Sequence, residues 1–217
     1  MTLVIFADKS YEEIPAYDDR KIGGEILPNN EVWMPSHTFK VDSNQGIDRD
    51  DFTIATDKNL DVKSLQIFHS SKIKFLPIGV GDKFPNLEDF SIDNCSIKII
   101  SHENFKGLYN LKELHIVFTE IETIKSGIFD DLKNLIELNL SGNKISFIAE
   151  DAFKNLNSLS NLILNQNQLT ILSFSLDSCL NLRYFAIQEN DISIISKGLL
   201  RYNKKLNYFF AASNQLQ

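Results

Sequence analysis

Several features that define other classes of protein are absent from this 217-residue sequence. Cys95 and Cys179 are its only cysteines, which excludes the disulfide-rich scaffolds of small secreted domains. No apolar run approaches the roughly 20 residues of a membrane-spanning helix. The apolar stretch at residues 2–7 is too short for a secretory signal and has no basic flank. We therefore expect membrane association only through a segment missing from this chain.

An excess of basic residues is also absent. The chain has 22 lysine and arginine residues against 29 acidic residues, giving a net charge of −7. Nucleic acids are bound through cationic patches that neutralise phosphates, and anionic membrane surfaces attract the same patches. The composition therefore predicts a protein that binds no nucleic acid.

Sequence motifs of catalysis and metal binding are missing as well. The four histidines (His37, His69, His102 and His115) show no metal-ligand spacing. Residues 79–81 (Gly-Val-Gly) form too short a glycine motif to cradle a phosphate, and residues 48–51 lack the spacing of a calcium loop. We predict no catalytic residue, no metal and no cofactor, and hence no enzyme.

What the sequence does contain is a repeat of about 24 residues. Seven segments open with an apolar residue, at intervals of 25, 24, 24, 24, 23 and 24 positions: Val62, Leu87, Leu111, Leu135, Leu159, Leu182 and Leu206. The fourth and sixth positions of each segment are also apolar, with polar residues between them. This alternation is typical of a short strand with one buried face. A fixed period of this length indicates a solenoid of stacked repeats.

Further columns complete the repeat. The ninth position carries small hydrogen-bonding residues, which can satisfy backbone groups where the chain leaves each strand: Cys95, Thr119, Asn143, Asn167, Asn190 and Asn214. Phenylalanine recurs six residues before the next opening residue, at Phe105, Phe129 and Phe153. We expect Cys95 and Cys179 in the core as free thiols, because more than three repeats separate them, or about 15 Å at ~4.8 Å per strand.

In these columns the chain resembles the leucine-rich repeat proteins of the 24-residue, phenylalanine-containing type, most of all their extracellular members. The resemblance implies an α/β solenoid that is mostly β: a curved right-handed horseshoe with a parallel concave sheet and short convex turns. A strand and a short turn fill 24 residues, whereas a βαβ unit with a full helix needs roughly 30.

The repeat divides the chain into two predicted parts. Residues 1–57 form a non-repeat segment and a possible cap, and residues 58–217 form a leucine-rich repeat domain of about seven repeats, the last incomplete. Short apolar runs at residues 3–6, 31–34 and 52–55 predict strands. We expect this segment to cover the first repeat, partly as a strand or hairpin ending near residues 52–56. Because no polar cap follows Leu216, we expect the chain to be a fragment of a longer protein.

Side chains at the third, fifth and seventh positions of each strand should point away from the core. Two sets stand out against the polar background. An acidic set comprises Asp89, Glu113 and Glu137, with Asp93 and His115 nearby; an apolar set comprises Val117, Phe118, Ile163, Tyr184, Tyr208 and Phe210. Acids in adjacent strands would attract a cationic partner, and Tyr and Phe are favoured interface anchors. An alternative interpretation is that the acids only keep an open sheet soluble.

These patterns predict a protein-binding module of a secreted or cell-surface recognition protein, innate-immune or receptor-like, whose concave face binds a protein partner, possibly a basic one. Two alternatives stay open: a structural or adhesive matrix or scaffold protein, and an intracellular adaptor. The expected location is extracellular or at the cell surface, with a cytoplasmic location as the alternative. The sequons at Asn94 and Asn139 could arise by chance in an asparagine-rich chain.

Overall fold

The computed structural model describes residues 2–6, 21–26, 31–34, 37–41, 54–55, 62–70 and 73–216, with side chains described for 62–67 and 73–216. The strands are β1 Thr2–Phe6, β2 Lys21–Ile26, β3 Glu31–Met34, β4 His37–Val41, β5 Ile54–Ala55, β6 Ser64–Ser70, β7 Asp89–Cys95, β8 Glu113–Val117, β9 Thr123–Ile124, β10 Glu137–Asn139, β11 Phe147–Ile148, β12 Asn161–Ile163, β13 Ile171–Leu172, β14 Tyr184–Ala186, β15 Ile194–Ile195 and β16 Tyr208–Phe210. The helices are α1 Val80–Lys83 and α2 His102–Phe105.

Twelve of these strands form one sheet, in the order β16-β14-β12-β10-β8-β7-β6-β1-β2-β3-β4-β5. The strands from β16 to β2 are all parallel, and β2 to β5 pair antiparallel. Each repeat contributes one strand to this sheet and returns through a short connection. The result is a mostly-β solenoid, as the repeat predicts.

The N-terminal segment joins the same sheet, though not as the sequence suggested. Strands occur at all three predicted runs, but β5 lies at the far edge of the sheet. It is β1 that pairs in parallel with β6 of the first repeat, from Thr2 beside Ser64 to Phe6 beside Phe68. The expectation of a hairpin near residues 52–56 against the first repeat was wrong, because the first strand of the chain occupies that edge. The division at residues 57 and 58 stays a prediction.

The core consists of the stacked apolar columns. The fourth and sixth positions of the first five repeats are fully or almost fully buried: Leu65, Ile67, Phe90, Ile92, Leu114, Ile116, Leu138, Leu140, Leu162 and Leu164. Phenylalanine rings run through the centre, with centroids 6.5 Å apart for Phe90 and Phe105, 5.8 Å for Phe105 and Phe129, 6.3 Å for Phe129 and Phe153, and 5.2 Å for Phe153 and Phe174. Each repeat thus buries its apolar faces against its neighbours, which a single repeat cannot do alone.

The ninth-position asparagines form a hydrogen-bonded ladder along the strand exits. The side-chain amide of Asn167 donates to the carbonyl oxygens of Leu140 (3.0 Å) and Leu164 (3.1 Å), and its oxygen accepts from the N–H of Ile145 (3.0 Å). Asn190 and Asn214 repeat this pattern. Asn143 donates to the corresponding carbonyl oxygens of Ile116 and Leu140, but its side-chain oxygen accepts from the Thr119 hydroxyl. The ladder satisfies the backbone groups that the end of each strand leaves open.

The residue before each ladder position turns the chain with a left-handed backbone. The angle φ is +53° at Asn94, +50° at Phe118, +67° at Gly142, +53° at Gln166, +55° at Glu189 and +56° at Ser213. One of these six residues is glycine, so the stacked ladder enforces a conformation that most L-residues avoid.

Both cysteines are buried and free, as expected. Burial raises the pKa of the Cys179 thiol to about 12. In the described ranges the two helices have four residues each, and none is long and apolar enough to cross a membrane. At the last repeat the fourth-position ring is partly open: Phe209 is 40% exposed, whereas Phe185 in the preceding repeat is completely buried.

Candidate partner-binding surface

Three carboxylates lie side by side on the concave face. Asp89, Glu113 and Glu137 occupy the same position of β7, β8 and β10, where Asp89 aligns with Glu113 and Glu113 with Glu137. Adjacent strands are about 4.8 Å apart, and like charges at such a separation repel by roughly 1 kcal/mol even in water. The sheet therefore concentrates negative charge in one column.

Neutral donors hold two of these carboxylates in place. Asp89 accepts hydrogen bonds from the hydroxyls of Ser64 (2.6 Å) and Ser91 (2.9 Å). Glu137 accepts one from the side-chain amide of Asn161 (2.7 Å). Hydroxyl and amide dipoles orient a carboxylate without cancelling its charge, so the column stays anionic while its geometry is fixed.

His115 lies between Glu113 and Glu137. Its Nε2 atom is 3.8 Å from the Glu113 carboxylate and 3.7 Å from that of Glu137. Among the described residues, no lysine or arginine forms a salt bridge with Asp89, Glu113 or Glu137. Glu113, the most open of these groups, has 58% of its side chain exposed. A cation from outside can therefore reach the column.

The lysine nearest in sequence, Lys112, is engaged elsewhere. It pairs with Glu88, which Lys63 also contacts at 3.2 Å. The hydrogen bonds from Lys112 and Lys63 lower the pKa of the Glu88 carboxyl. Glu88 and Lys112 occupy the second position of their repeats, one residue before Asp89 and Glu113. Lys112 therefore neutralises Glu88 and leaves the charges of Asp89, Glu113 and Glu137 unpaired by lysine in the described chain.

Three aromatic rings cluster at the other end of the concave face. Tyr184 on β14 lies 6.3 Å from Tyr208 and 5.3 Å from Phe210, measured between ring centroids. Tyr208 and Phe210 on β16 are 6.3 Å apart with nearly parallel planes. Tyr208 is 58% and Phe210 39% exposed. Such rings offer large, rigid contact area to a partner.

The remaining predicted residues lie between or beside these clusters. Asp93, Val117 and Ile163 are half-buried on β7, β8 and β12. Phe118 follows β8 at the left-handed turn, and its ring lies against Gly142 of the next repeat. Ten of the eleven candidates thus lie on concave strands, seven of them in two separate clusters, and Phe118 lies at a strand exit.

Some outward positions are less open than the alternation predicts. Ser64 and Gln66 are more than 90% buried; the Ser64 hydroxyl donates to Asp89 and accepts from the side-chain amide of Gln66. Ala186 is completely buried, since it is small and pairs with Phe210 on β16.

The sequence reading also passed over two groups of residues. One is a set of side-chain amides: Asn161 lies between the two clusters on β12, and Asn165 and Gln188 lie two residues beyond the ends of β12 and β14. The other is an exposed apolar column on the side of the solenoid, formed by Ile99, Phe147, Ile171 and Ile194. Each of these four follows its opening residue by 12 positions, so the same repeat alignment contained the signal.

The stacked parallel strands, the asparagine ladder and the phenylalanine core define a β-solenoid with an open concave face. The family model described as leucine rich repeat matches residues 109–169, and the stacked parallel strands on both sides of this range continue the same leucine-rich repeat fold. It is similar to the crystal structure of a TLR13–ssRNA13 complex, with a TM-score of 0.56 and 18% sequence identity. That match covers 70% of this chain and 25% of the other, so it concerns the fold of one quarter of that protein. No curated protein sequence matches the chain.

Proposed function

We propose that this chain is a non-enzymatic, protein-binding module of a secreted or cell-surface recognition protein, innate-immune or receptor-like, and that its concave face takes a basic protein partner. The acidic column carries the proposal, because Asp89, Glu113 and Glu137 are aligned without a lysine or arginine against them in the described chain. A lysine or arginine from a partner would remove the repulsion within the column. The fold similarity supports a module of this class, and the phenylalanine-containing repeat supports an extracellular place.

RNA is the ligand named for the similar structure, so it is the second candidate for this chain. Binding to single strands combines stacking aromatic residues with a cationic groove. Here the third, fifth and seventh positions of the seven repeat strands contain acids, amides and apolar residues but no lysine or arginine. The charge of these positions therefore favours a basic protein over a phosphate backbone.

A charge-reversal pair tests the proposal. The variant Glu113→Lys/Glu137→Lys should lose partners that the unchanged chain retains from extracellular fluid, with the loss greatest at low salt. Its matched control is Glu122→Lys/Glu150→Lys, which changes net charge equally at two exposed acids outside the third, fifth and seventh positions. Equal retention by both variants would exclude the acidic column as the contact.

Two further measurements address the alternatives. Labelled single-stranded RNA should bind neither the chain nor the control variant, and saturable RNA binding would favour the second candidate. An antibody against the chain should detect the protein in culture medium or on intact cells. Detection only inside cells would favour an adaptor.

A further inference from the structure

A cavity of about 220 Å³ opens between the fifth and sixth repeats, in the connections that follow β13 and β15. It lies away from the concave strands. Its lining includes three serine hydroxyls and two cationic side chains: Ser173, Ser175, Ser196, Lys197 and Arg201. Since a water molecule takes about 30 Å³, the cavity has room for roughly seven waters or for an organic group of similar size.

The two cations of this cavity are available to an anion. Neither Lys197 nor Arg201 forms a salt bridge with a described residue. The carboxylate of Asp177 also lines the cavity, but its oxygens lie beyond 4.0 Å from the nitrogens of both cations. The Arg201 guanidinium lies over Gly198, where a Cβ atom would be 3.6 Å from Nε. The Ser175 hydroxyl accepts the N–H of Asp177 (3.1 Å), which leaves its own proton free to donate.

The fourth repeat holds a carboxylate at the equivalent turn. Its seventeenth position is Asp151, which accepts a hydrogen bond from the Ser126 hydroxyl of the preceding repeat (2.8 Å). Lys154, at the twentieth position, donates to the same carboxylate (3.1 Å). The hydrogen bonds from Ser126 and Lys154 lower the pKa of Asp151, so this arrangement favours an anion.

The sixth repeat has the same turn without the carboxylate. Its seventeenth position is Gly198 and its twentieth is Arg201. In both repeats the backbone N–H of the twentieth position donates to the carbonyl oxygen of the seventeenth, at 3.1 Å for Lys154 and Asp151 and at 2.9 Å for Arg201 and Gly198. A cation therefore occupies the equivalent place in both turns, and only the fourth repeat supplies an acid of its own there.

The hydroxyl groups of the equivalent turn are retained as well. The fifth repeat has the buried Phe174 at its sixteenth position, where the third repeat has Ser126. Ser173 and Ser175, on either side of Phe174, line the cavity instead. Lys197 adds a second cation directly before the glycine of the sixth repeat. The cavity thus has the donors that hold a carboxylate in the fourth repeat, and an oxyanion of another molecule can take the carboxylate's place.

We propose that this cavity binds an anionic sugar unit, with its carboxylate, sulfate or phosphate group at Arg201 and Lys197. The guanidinium presents paired N–H donors in the spacing of two oxyanion oxygens. Serine hydroxyls both donate and accept, as sugar hydroxyls do, and Asp177 can accept from a sugar hydroxyl. The cavity is also larger than a lone oxyanion, and the ring of Tyr202 adds an apolar surface to its lining. This site lies outside the concave face and is independent of the function proposed for that face.

An NMR titration of the 15N-labelled full chain at low salt tests the proposal. The probes are glucuronate, glucose 6-sulfate and glucose 6-phosphate, with glucose and inorganic sulfate as references. At least one anionic sugar should bind with a Kd of about 1 mM, an ordinary value for a ligand of this size. The amide signals of Lys197, Gly198 and Arg201 should shift, and the sugar that binds most tightly identifies the preferred oxyanion. Glucose and inorganic sulfate should bind roughly tenfold or more weakly, because each lacks part of the contacts.

Variants locate the binding and separate it from general charge effects. Arg201→Gln and Lys197→Gln should each weaken binding of the anionic sugar roughly tenfold, because each removes a charge-assisted hydrogen bond. Lys133→Gln is the matched control, since it removes an exposed lysine of the third repeat that forms no salt bridge with a described residue; its affinity should be unchanged. Asp177→Asn should bind inorganic sulfate more tightly, because a repelling charge is removed. The amide spectrum of each variant reports whether it is folded.

Several results would overturn the proposal. Inorganic sulfate that binds as tightly as glucose 6-sulfate would show an oxyanion site without a place for a sugar. Unchanged affinity in both Arg201→Gln and Lys197→Gln would place the binding elsewhere, as would shifts confined to other amides. A titration in which none of the three anionic sugars shifts a signal would also exclude the site. None of these outcomes bears on the acidic column, whose charge-reversal test uses other residues.

Discussion

Replacing Asn167 with alanine should destabilise the solenoid by breaking the ladder at its centre. The side chain is 7% exposed and donates to the carbonyl oxygens of Leu140, Leu164 and Asn165. It also accepts the backbone N–H of Ile145 from the preceding repeat. Alanine removes all four hydrogen bonds and leaves these backbone groups in the interior.

The size of the effect depends on which groups lose every partner. Leu140 still accepts from Asn143, and Leu164 still accepts from Asn190. The N–H of Ile145 has Asn167 as its partner in the described structure, and a buried donor without an acceptor costs about 1–3 kcal/mol. With about 1 kcal/mol for the weakened carbonyl contacts, we expect the free energy of unfolding to fall by about 2–4 kcal/mol.

Urea unfolding followed by far-UV circular dichroism measures this loss, with Asn134→Ala as the matched control. Asn134 makes one exposed hydrogen bond, to the Tyr109 carbonyl (2.8 Å), so its loss should cost less than about 1 kcal/mol. Hydrogen exchange supplies a local readout, because the Ile145 amide should lose protection in Asn167→Ala alone. Equal stabilities of the two variants, with Ile145 still protected, would refute the reasoning.

Three other substitutions follow from the same structure. Phe153→Ala should lower the free energy of unfolding by about 3–5 kcal/mol in urea titrations, since it empties the centre of the phenylalanine core. Gly142→Ala should cost about 1–2 kcal/mol, because φ is +67° and the new methyl would overlap the Phe118 ring; Phe118→Ala in the same chain should recover part of this loss. Cys179 should resist thiol reagents at pH 8 until the chain unfolds. Burial raises the pKa of the Cys179 thiol from an ordinary 9.0 to about 12. Its contribution to the free energy of unfolding is therefore complete below pH 9.0 and is lost as the pH rises toward 12. Over that pH range the free energy of unfolding should decline less steeply in Cys179→Ala than in the unchanged chain.

The repeat made the fold readable from the sequence. Residues that recur every 24 positions must occupy equivalent places, so aligned columns such as Leu138 and Leu162 could be assigned to the core without knowledge of long-range contacts. The N-terminal segment has no such period, and a strand there can pair with any open edge. Its strands were foreseen from composition, but the pairing of β1 with β6 was not, since it depends on competition between edges.

The candidate surface was readable in outline. Alternation along the strands placed Glu113 and Glu137 outward and side by side. It could not show that His115 lies between them or that Asn161 donates to Glu137, because these contacts depend on side-chain rotamers. The left-handed turn at Phe118 gave no signal either, since phenylalanine has no preference for that conformation.

The contrast between the columns is itself an argument about function. Core columns must stay uniform, because each repeat packs against nearly identical neighbours, while outward columns are free to vary. If the acids served only solubility, they would be expected apart, since neighbouring carboxylates repel by roughly 1 kcal/mol. Instead Asp89, Glu113 and Glu137 are adjacent, and their described partners are hydroxyls, an amide and one histidine. A surface that holds its charges together in this way is better matched to an incoming cation than to water.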